Sequence, residues 1–282
     1  MRDFLRYVFK SREGLAAYLV YLASALGGLF LMYMLFLVVL KKDGAIDVLE
    51  ADLFEPAAVL FSAVFFLVVM SRLLNISVNG GISRRSFILG TAVICPVFAV
   101  ITSVIIEAAN MITAEIYSAF GVRLESIMMS SLSSEANIKS IAAHDPEFIF
   151  FEVCVIFLLV ITAFAAVLIY FGIQKRFGTA AAVIVIGFFL MMLYISRNTF
   201  YGYSYIDDLY GELDRCMHQM DYVLYHDLLS EWDYYDEPVY TYAHCVMTFI
   251  LTGLGVFAAG YLLYLAALRR APVRGKKQGG VI

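Results

Sequence analysis

The chain has 282 residues, of which 62% are hydrophobic and 16% charged, with a formal net charge of −4 at pH 7. A soluble domain is nearer half apolar and a quarter charged, and here the excess is gathered in runs long enough to cross a hydrocarbon core about 30 Å thick. The composition excludes an ordinary soluble enzyme and predicts an all-α, polytopic membrane protein.

Residues 1–14 form an element of their own. Met1, Phe4, Leu5 and Val8 follow the i, i+3, i+4, i+7 rule, and Arg2, Arg6 and Lys10 take the opposite face. This predicts an amphipathic helix lying in the inner membrane surface; the simpler alternative is a cytoplasmic extension of the first span. No leader cleavage site precedes the first apolar run. Six spans then follow in a single domain, 15–282, over residues 15–40, 56–74, 87–107, 147–171, 179–196 and 239–268. At about 1.5 Å per residue each is long enough to cross. Six crossings put both termini on one side.

Lysine and arginine decide which side that is. With a cytoplasmic N-terminus, the inner segments hold Arg2, Arg6, Lys10, Arg12, Arg72, Arg84, Arg85, Lys175, Arg176, Arg269, Arg270, Arg274, Lys276 and Lys277, fourteen of the 20 basic residues. Of the acids, only Asp3 and Glu13 fall inside. Helix starts agree. Glu55-Pro56, Asp145-Pro146 and Glu237-Pro238 precede the second, fourth and sixth runs. Proline suits a first helical turn and an acid beside it suits the dipole. Pro96 lies within the third span, where a kink is expected. The expected location is the plasma membrane, multi-pass, with both termini cytoplasmic.

Two outer segments, 108–146 and 197–238, are expected to be helical with breaks near Gly121 and Ser133. In the second, Ile206, Leu209, Leu213, Cys216, Met217 and Met220 recur at helical spacing with acids between them, and from Asp207 to Glu237 there are ten acids and one base, Arg215. Asp207, Asp208, Glu212, Tyr222 and Trp232 are candidates for an acidic, aromatic surface that meets a cationic amphipathic molecule; an interfacial aromatic belt is the plainer reading. Cys95 and Cys154 read as small core residues. Cys216 and Cys245 flank the polar segment and can pair only if it folds back.

Catalytic chemistry finds little support. Glu107, Glu152 and His244 are expected near outer span ends, leaving the span cores without ionisable groups. That argues against a proton relay, an intramembrane protease or a mid-membrane metal site. Asp214, His218 and Asp221 share a helix face, but no second histidine stands at ligand spacing, so no metal and no cofactor is expected. No phosphate-binding Gly-rich motif is present, and nothing calls for nucleic acid. Any ATP-driven work therefore needs another chain to hydrolyse the nucleotide.

The expected cytoplasmic loop 71–86 contains Asn79-Gly80-Gly81, a turn signal, and Ser83, a plausible N-cap. Arg84 and Arg85 then occupy a first helical turn against the dipole, at a cost of about 0.3–1 kcal/mol each. Membrane anchoring explains them; so does a docking surface for a partner. The run VNGGISRRSFILG resembles the segment between the second and third spans of small permease subunits of the type-2 ABC exporter family. Ile173–Gly178, IQKRFG, looks like the turn that joins their fourth and fifth spans. The six-span layout and the amphipathic start are similar too. Gln174-Lys175 and the doubled glycine depart from that pattern.

The resemblance implies a coupling helix that sits in a groove of an ATPase, carried here by Asn79, Gly80, Gly81, Ile82, Ser83, Arg84, Arg85 and Phe87. A second inner turn would be Lys175, Arg176, Phe177 and Gly178. It implies as partners an ATPase dimer, a second permease, identical or related, and the lipid bilayer. The substrate would be amphipathic: a peptide antibiotic, a lipid or a drug. The rival expectation is a membrane receptor or regulator that works without ATP through its acidic outer segment.

Overall fold

The structure is a computed structural model that describes residues Arg2–Lys10, 14–42, Val48–Glu50, Phe54–Asn79, 83–120, Arg123–Glu125, 146–185, 187, 213, 216 and 241–269. In chain order the elements are α1 (Arg2–Lys10), α2 (Leu15–Lys42), β1 (Val48–Glu50), α3 (Phe54–Asn79), α4 (Arg84–Ala119), β2 (Arg123–Glu125), α5 (Pro146–Phe177) and α6 (Tyr242–Arg269). Five of the helices, α2 to α6, are long and apolar enough to cross a membrane. The expected fifth span begins as helix at 179–185; the rest of it, apart from 187, lies outside the described residues.

Helix directions follow from contacts that repeat at a constant separation. Tyr18 bonds Thr102 through its hydroxyl at 2.6 Å, and the Tyr117 hydroxyl donates to the Tyr33 carbonyl; both pairs are 84 residues apart, so α2 and α4 run the same way. In the second pair of helices, Tyr242 donates to the Glu147 carbonyl at 3.0 Å, 95 residues away. Gly260 faces Ala165 and Ala267 faces Gly172, again 95 apart, so α5 and α6 are also parallel. Tyr261, in the last third of α6, donates to the Ile88 carbonyl near the start of α4 at 2.7 Å. The α5/α6 pair therefore opposes α2 and α4.

The core is ordered by rings. Tyr18, Phe66, Phe98 and Phe164, one each from α2, α3, α4 and α5, are fully buried. Tyr18 stacks on Phe98 at 4.8 Å and Phe66 on Phe164 at 4.1 Å, while the cross pairs meet edge-on at 6.3 Å. Such offset and edge geometries suit the ring quadrupole. The α5/α6 interface, the most extensive between helices, combines the edge-on Phe151–Phe249 pair with a row of small residues. Gly253, Gly260 and Ala267 recur every seven residues along α6 and meet Ile161, Ala165 and Gly172 of α5. Small residues at heptad spacing let two backbones approach without cavities.

Several expectations need correction. The all-α reading holds for the bulk of the chain, but β1 and β2 form a short parallel ladder, Val48 opposite Arg123. The outer segment is therefore not helical throughout. The ladder has a simple cause: β1 follows α2 and β2 follows α4, and these helices leave the bundle in the same direction, with α3 and α4 as the crossover. Helix α4 does not stop at Glu107 but runs to Ala119. At about 1.5 Å per residue its 36 residues span about 54 Å, well beyond a 30 Å core.

Glu107 is consequently internal to the helix and 3% exposed; at about 1.5 Å per residue it stands about 30 Å beyond Phe87, which keeps it at the span-end position expected of it. Glu152 and His244 lie within the candidate spans of α5 and α6, nearer their N-termini. Helix α6 starts at Tyr242, where Thr241 caps it by accepting from the His244 amide at 3.3 Å.

Candidate functional site

The stretch between α3 and α4 is much shorter than expected. Helix α3 continues through Ser71 and Arg72 to Asn79 and α4 begins at Arg84, so most of the loop assigned to 71–86 is helical. Gly80, Gly81 and Ile82 lie outside the described residues. Ser83 does cap the next helix. Its Oγ accepts from the Ser86 amide at 3.2 Å and meets the Ser86 Oγ at 2.8 Å, and its carbonyl accepts from the Phe87 amide at 3.0 Å. Ser83 is thus the N-cap and Ser86 the N3 residue, the place usually held by Glu in a capping box. Serine there completes the local bonding without adding an acid. Arg84 and Arg85 occupy N1 and N2, and the Arg85 side chain is exposed.

Phe87 was expected to offer an apolar anchor to a partner, yet it is 1% exposed. Its ring meets Phe4 of α1 edge-on at 5.2 Å. One turn further, Gly90 leaves a notch that the Phe4 ring fills; a Cβ at Gly90 would overlap that ring. Phe4 and Val8 are both fully buried, whereas Arg6 and Lys10 are exposed. The apolar stripe of α1 therefore packs on protein. Gly14, just before α2, comes so close to the Val8 carbonyl that no side chain fits there. The Gly90 notch was missed in the sequence. Its only signal was a glycine inside an apolar run, and its partner lies 86 residues earlier.

The second turn is built with equal economy. Helix α5 ends at Phe177, and Gly178 adopts φ +97°, the left-handed region. The Gly178 amide donates back to the Gln174 carbonyl at 2.9 Å, the αL termination that favours glycine. The Gly178 carbonyl accepts from the Ala182 amide at 3.2 Å, so one residue ends α5 and opens the next helix. Gln174 adds a side-chain bond to Thr179 at 3.3 Å. Lys175 lies over the Phe171 ring at 5.2 Å and Arg176 over Phe177 at 4.6 Å. Phe177 is 61% exposed. Cations at a helix C-terminus agree with the dipole, unlike the arginines at the start of α4.

These two turns lie at the same end of the bundle. Tyr261 of α6 bonds Ile88, one turn beyond Ser83, and Tyr264 and Ala267 of the same helix pack on Gly172, just before Gly178. That end thus carries exposed Arg6, Lys10, Arg85 and Lys175, with Arg176 half-buried. Asp207, Asp208, Glu212, Tyr222 and Trp232, the candidate outer surface, lie outside the described residues. No three His, Cys, Asp or Glu residues are grouped to hold a metal among the described residues. No family model, curated protein or solved structure matches the chain.

Proposed function

We propose that this chain is the membrane-spanning permease subunit of an ATP-driven exporter of the type-2 ABC class. The observation that carries the reading is the pair of helix turns at one end of the bundle. One is the Ser83-capped start of α4 with Arg84 and Arg85; the other is the Gly178 reversal with Lys175, Arg176 and exposed Phe177. A short capped helix start bearing arginines against its dipole is costly for folding alone. Arginine forks can pair with acids on a partner, and Phe177 supplies an apolar contact. An ATPase dimer that closes on ATP would push on both turns, and the spans would move as rigid bodies.

Six spans form part of this reading. Helices α5 and α6 are parallel, so if both cross the bilayer the chain between them must cross back. The apolar run 179–196, helical from its first residue to 185, is the segment suited to that return. Both termini then share the cytoplasmic side of the plasma membrane, α1 sits at the inner membrane surface with its arginines toward headgroups, and a second permease completes the substrate path. The substrate is an amphipathic peptide, lipid or drug.

Purification of the tagged chain in mild detergent should bring down an ATP-hydrolysing subunit; its absence would remove the reading. Arg84→Gln with Arg85→Gln should uncouple ATP hydrolysis from transport while membrane insertion stays normal. Cysteines introduced at Phe177 and Thr241 should label from opposite faces; labelling from one face would refute the sixth crossing.

A further inference from the structure

We propose that Cys216 and Cys245 are a disulfide-forming pair that ties the acidic segment between α5 and α6 to the start of α6. The inference rests on the orientation given under Proposed function, which puts the N-terminus of α6 on the outer, oxidising side. Three cysteines, Cys154, Cys216 and Cys245, are buried in one apolar cluster with Phe148, Phe151, Val246 and Phe249. Cys216 and Cys245 are 0% exposed, and Leu213, one helical turn before Cys216, packs on the same cluster. Leu213 and Cys216 are thus held in the cluster formed with residues of α5 and α6.

Register excludes Cys154 as the partner of Cys245. With α5 and α6 locked 95 residues apart, Cys154 stands level with Phe249, one turn beyond Cys245. One turn is about 5–6 Å along the axis. That alone uses nearly the whole Cα–Cα reach of a disulfide, about 4.4–6.8 Å, and leaves nothing for the lateral gap between packed helices. Cys216 is bound by no such register. Cys95 belongs to the other core cluster. The need for a tether is electrostatic: the stretch from Asp207 to Glu237 holds ten acids against one base, and like charges drive such a segment to extend.

The chemistry is thiol–disulfide exchange with a disulfide oxidant, small or protein-borne. One cysteine thiolate attacks the oxidant's S–S bond, forming a mixed disulfide and expelling a thiolate. The second cysteine thiolate then attacks its neighbour's sulfur in that mixed disulfide and expels the other half. Two protein thiols lose two protons and two electrons, and the oxidant leaves as two thiols. Reaction precedes closure of the cluster, after which the bond is shielded.

The test counts thiols in the full chain. Membranes are quenched in acid and denatured, and thiols are labelled with a polyethylene-glycol maleimide that shifts the band once per thiol. Two shifts are expected without reductant, from Cys95 and Cys154, and four with reductant. Cys216→Ser and Cys245→Ser should each give three shifts under both conditions, and Cys154→Ser should give one without reductant and three with it. Four shifts without reductant overturn the proposal, as does a protected pair that survives Cys216→Ser. Diamide treatment of the detergent-solubilised chain separates the causes. A pair that forms only then shows that the cluster faces a reducing side, so the orientation fails. A pair that never forms shows that the sulfurs are out of reach, with the orientation untouched.

Discussion

Replacing Gly90 by alanine tests how α1 is held. A Cβ at this position overlaps the Phe4 ring, so the ring leaves its notch or the helices part. Leaving forfeits about 1.5–3 kcal/mol of ring burial and about 0.5–1.5 kcal/mol of edge-on contact with Phe87. Helix α4 keeps its helix whether or not α1 is docked, so the gain in helix propensity cancels, and the cost is centred on about 3 kcal/mol, roughly a 150-fold rise in the undocked fraction of α1. Arg6 and Lys10 are exposed on that helix, so tryptic cleavage after them in detergent reads the opening, and its rate tracks the open population when reclosing is fast. Phe4→Ala should open α1 by a similar factor. In the Phe4→Ala background the ring is gone, and Gly90→Ala should become neutral, a coupling of about 3 kcal/mol in the double-mutant cycle. Equal effects of Gly90→Ala in both backgrounds would refute the notch.

Three further outcomes follow from backbone geometry. Gly178→Ala places a Cβ at φ +97° and should cost about 1–2 kcal/mol of stability in detergent, with Gly178→Asn milder because asparagine tolerates the left-handed region; a harsher asparagine variant would contradict this. Ser83→Ala removes the cap and should cost about 1 kcal/mol, seen as faster hydrogen exchange at the Ser86 amide, with exchange in α5 unchanged. Gly260→Ala meets the Ala165 Cβ at 2.8 Å and should loosen α5 from α6, whereas Gly255→Ala meets nothing within 4 Å and should be neutral or stabilising. Matching losses at both glycines would show that propensity, not packing, governs them.

Local chemistry was readable from the sequence where it acts over a few residues. The Ser83 cap, the proline start of α5 and the glycine that ends it are each set by neighbours within one turn. Helix length was not readable in the same way. A bilayer requires about 20 apolar residues but does not oblige a helix to stop there, and residues 108–119 of α4 contain no glycine or proline to end it. Hence the third span was read as ending at Glu107, and its helix in fact runs on to Ala119. The parallel ladder at Val48 and Arg123 was hidden for another reason: it depends on which helices run side by side. The partner of Gly90 is likewise non-local. The turns at Ser83 and Gly178 were legible as candidates, but the burial of Phe87 beneath Phe4 was not, because amphipathicity alone does not say whether lipid or protein covers an apolar face.

The fixed 95-residue stagger between α5 and α6 also sets an order of assembly. At about 5–20 residues per second of synthesis, each small residue on α5 waits some 5–20 s before its mate on α6 has been made. During that interval the face containing Ala165 and Gly172 lacks the helix that packs on it. A nascent chain halted before Tyr242 would therefore hold a bundle with one open seam, vulnerable to quality-control proteases, and the final helix acts as the closing piece that ends that vulnerability.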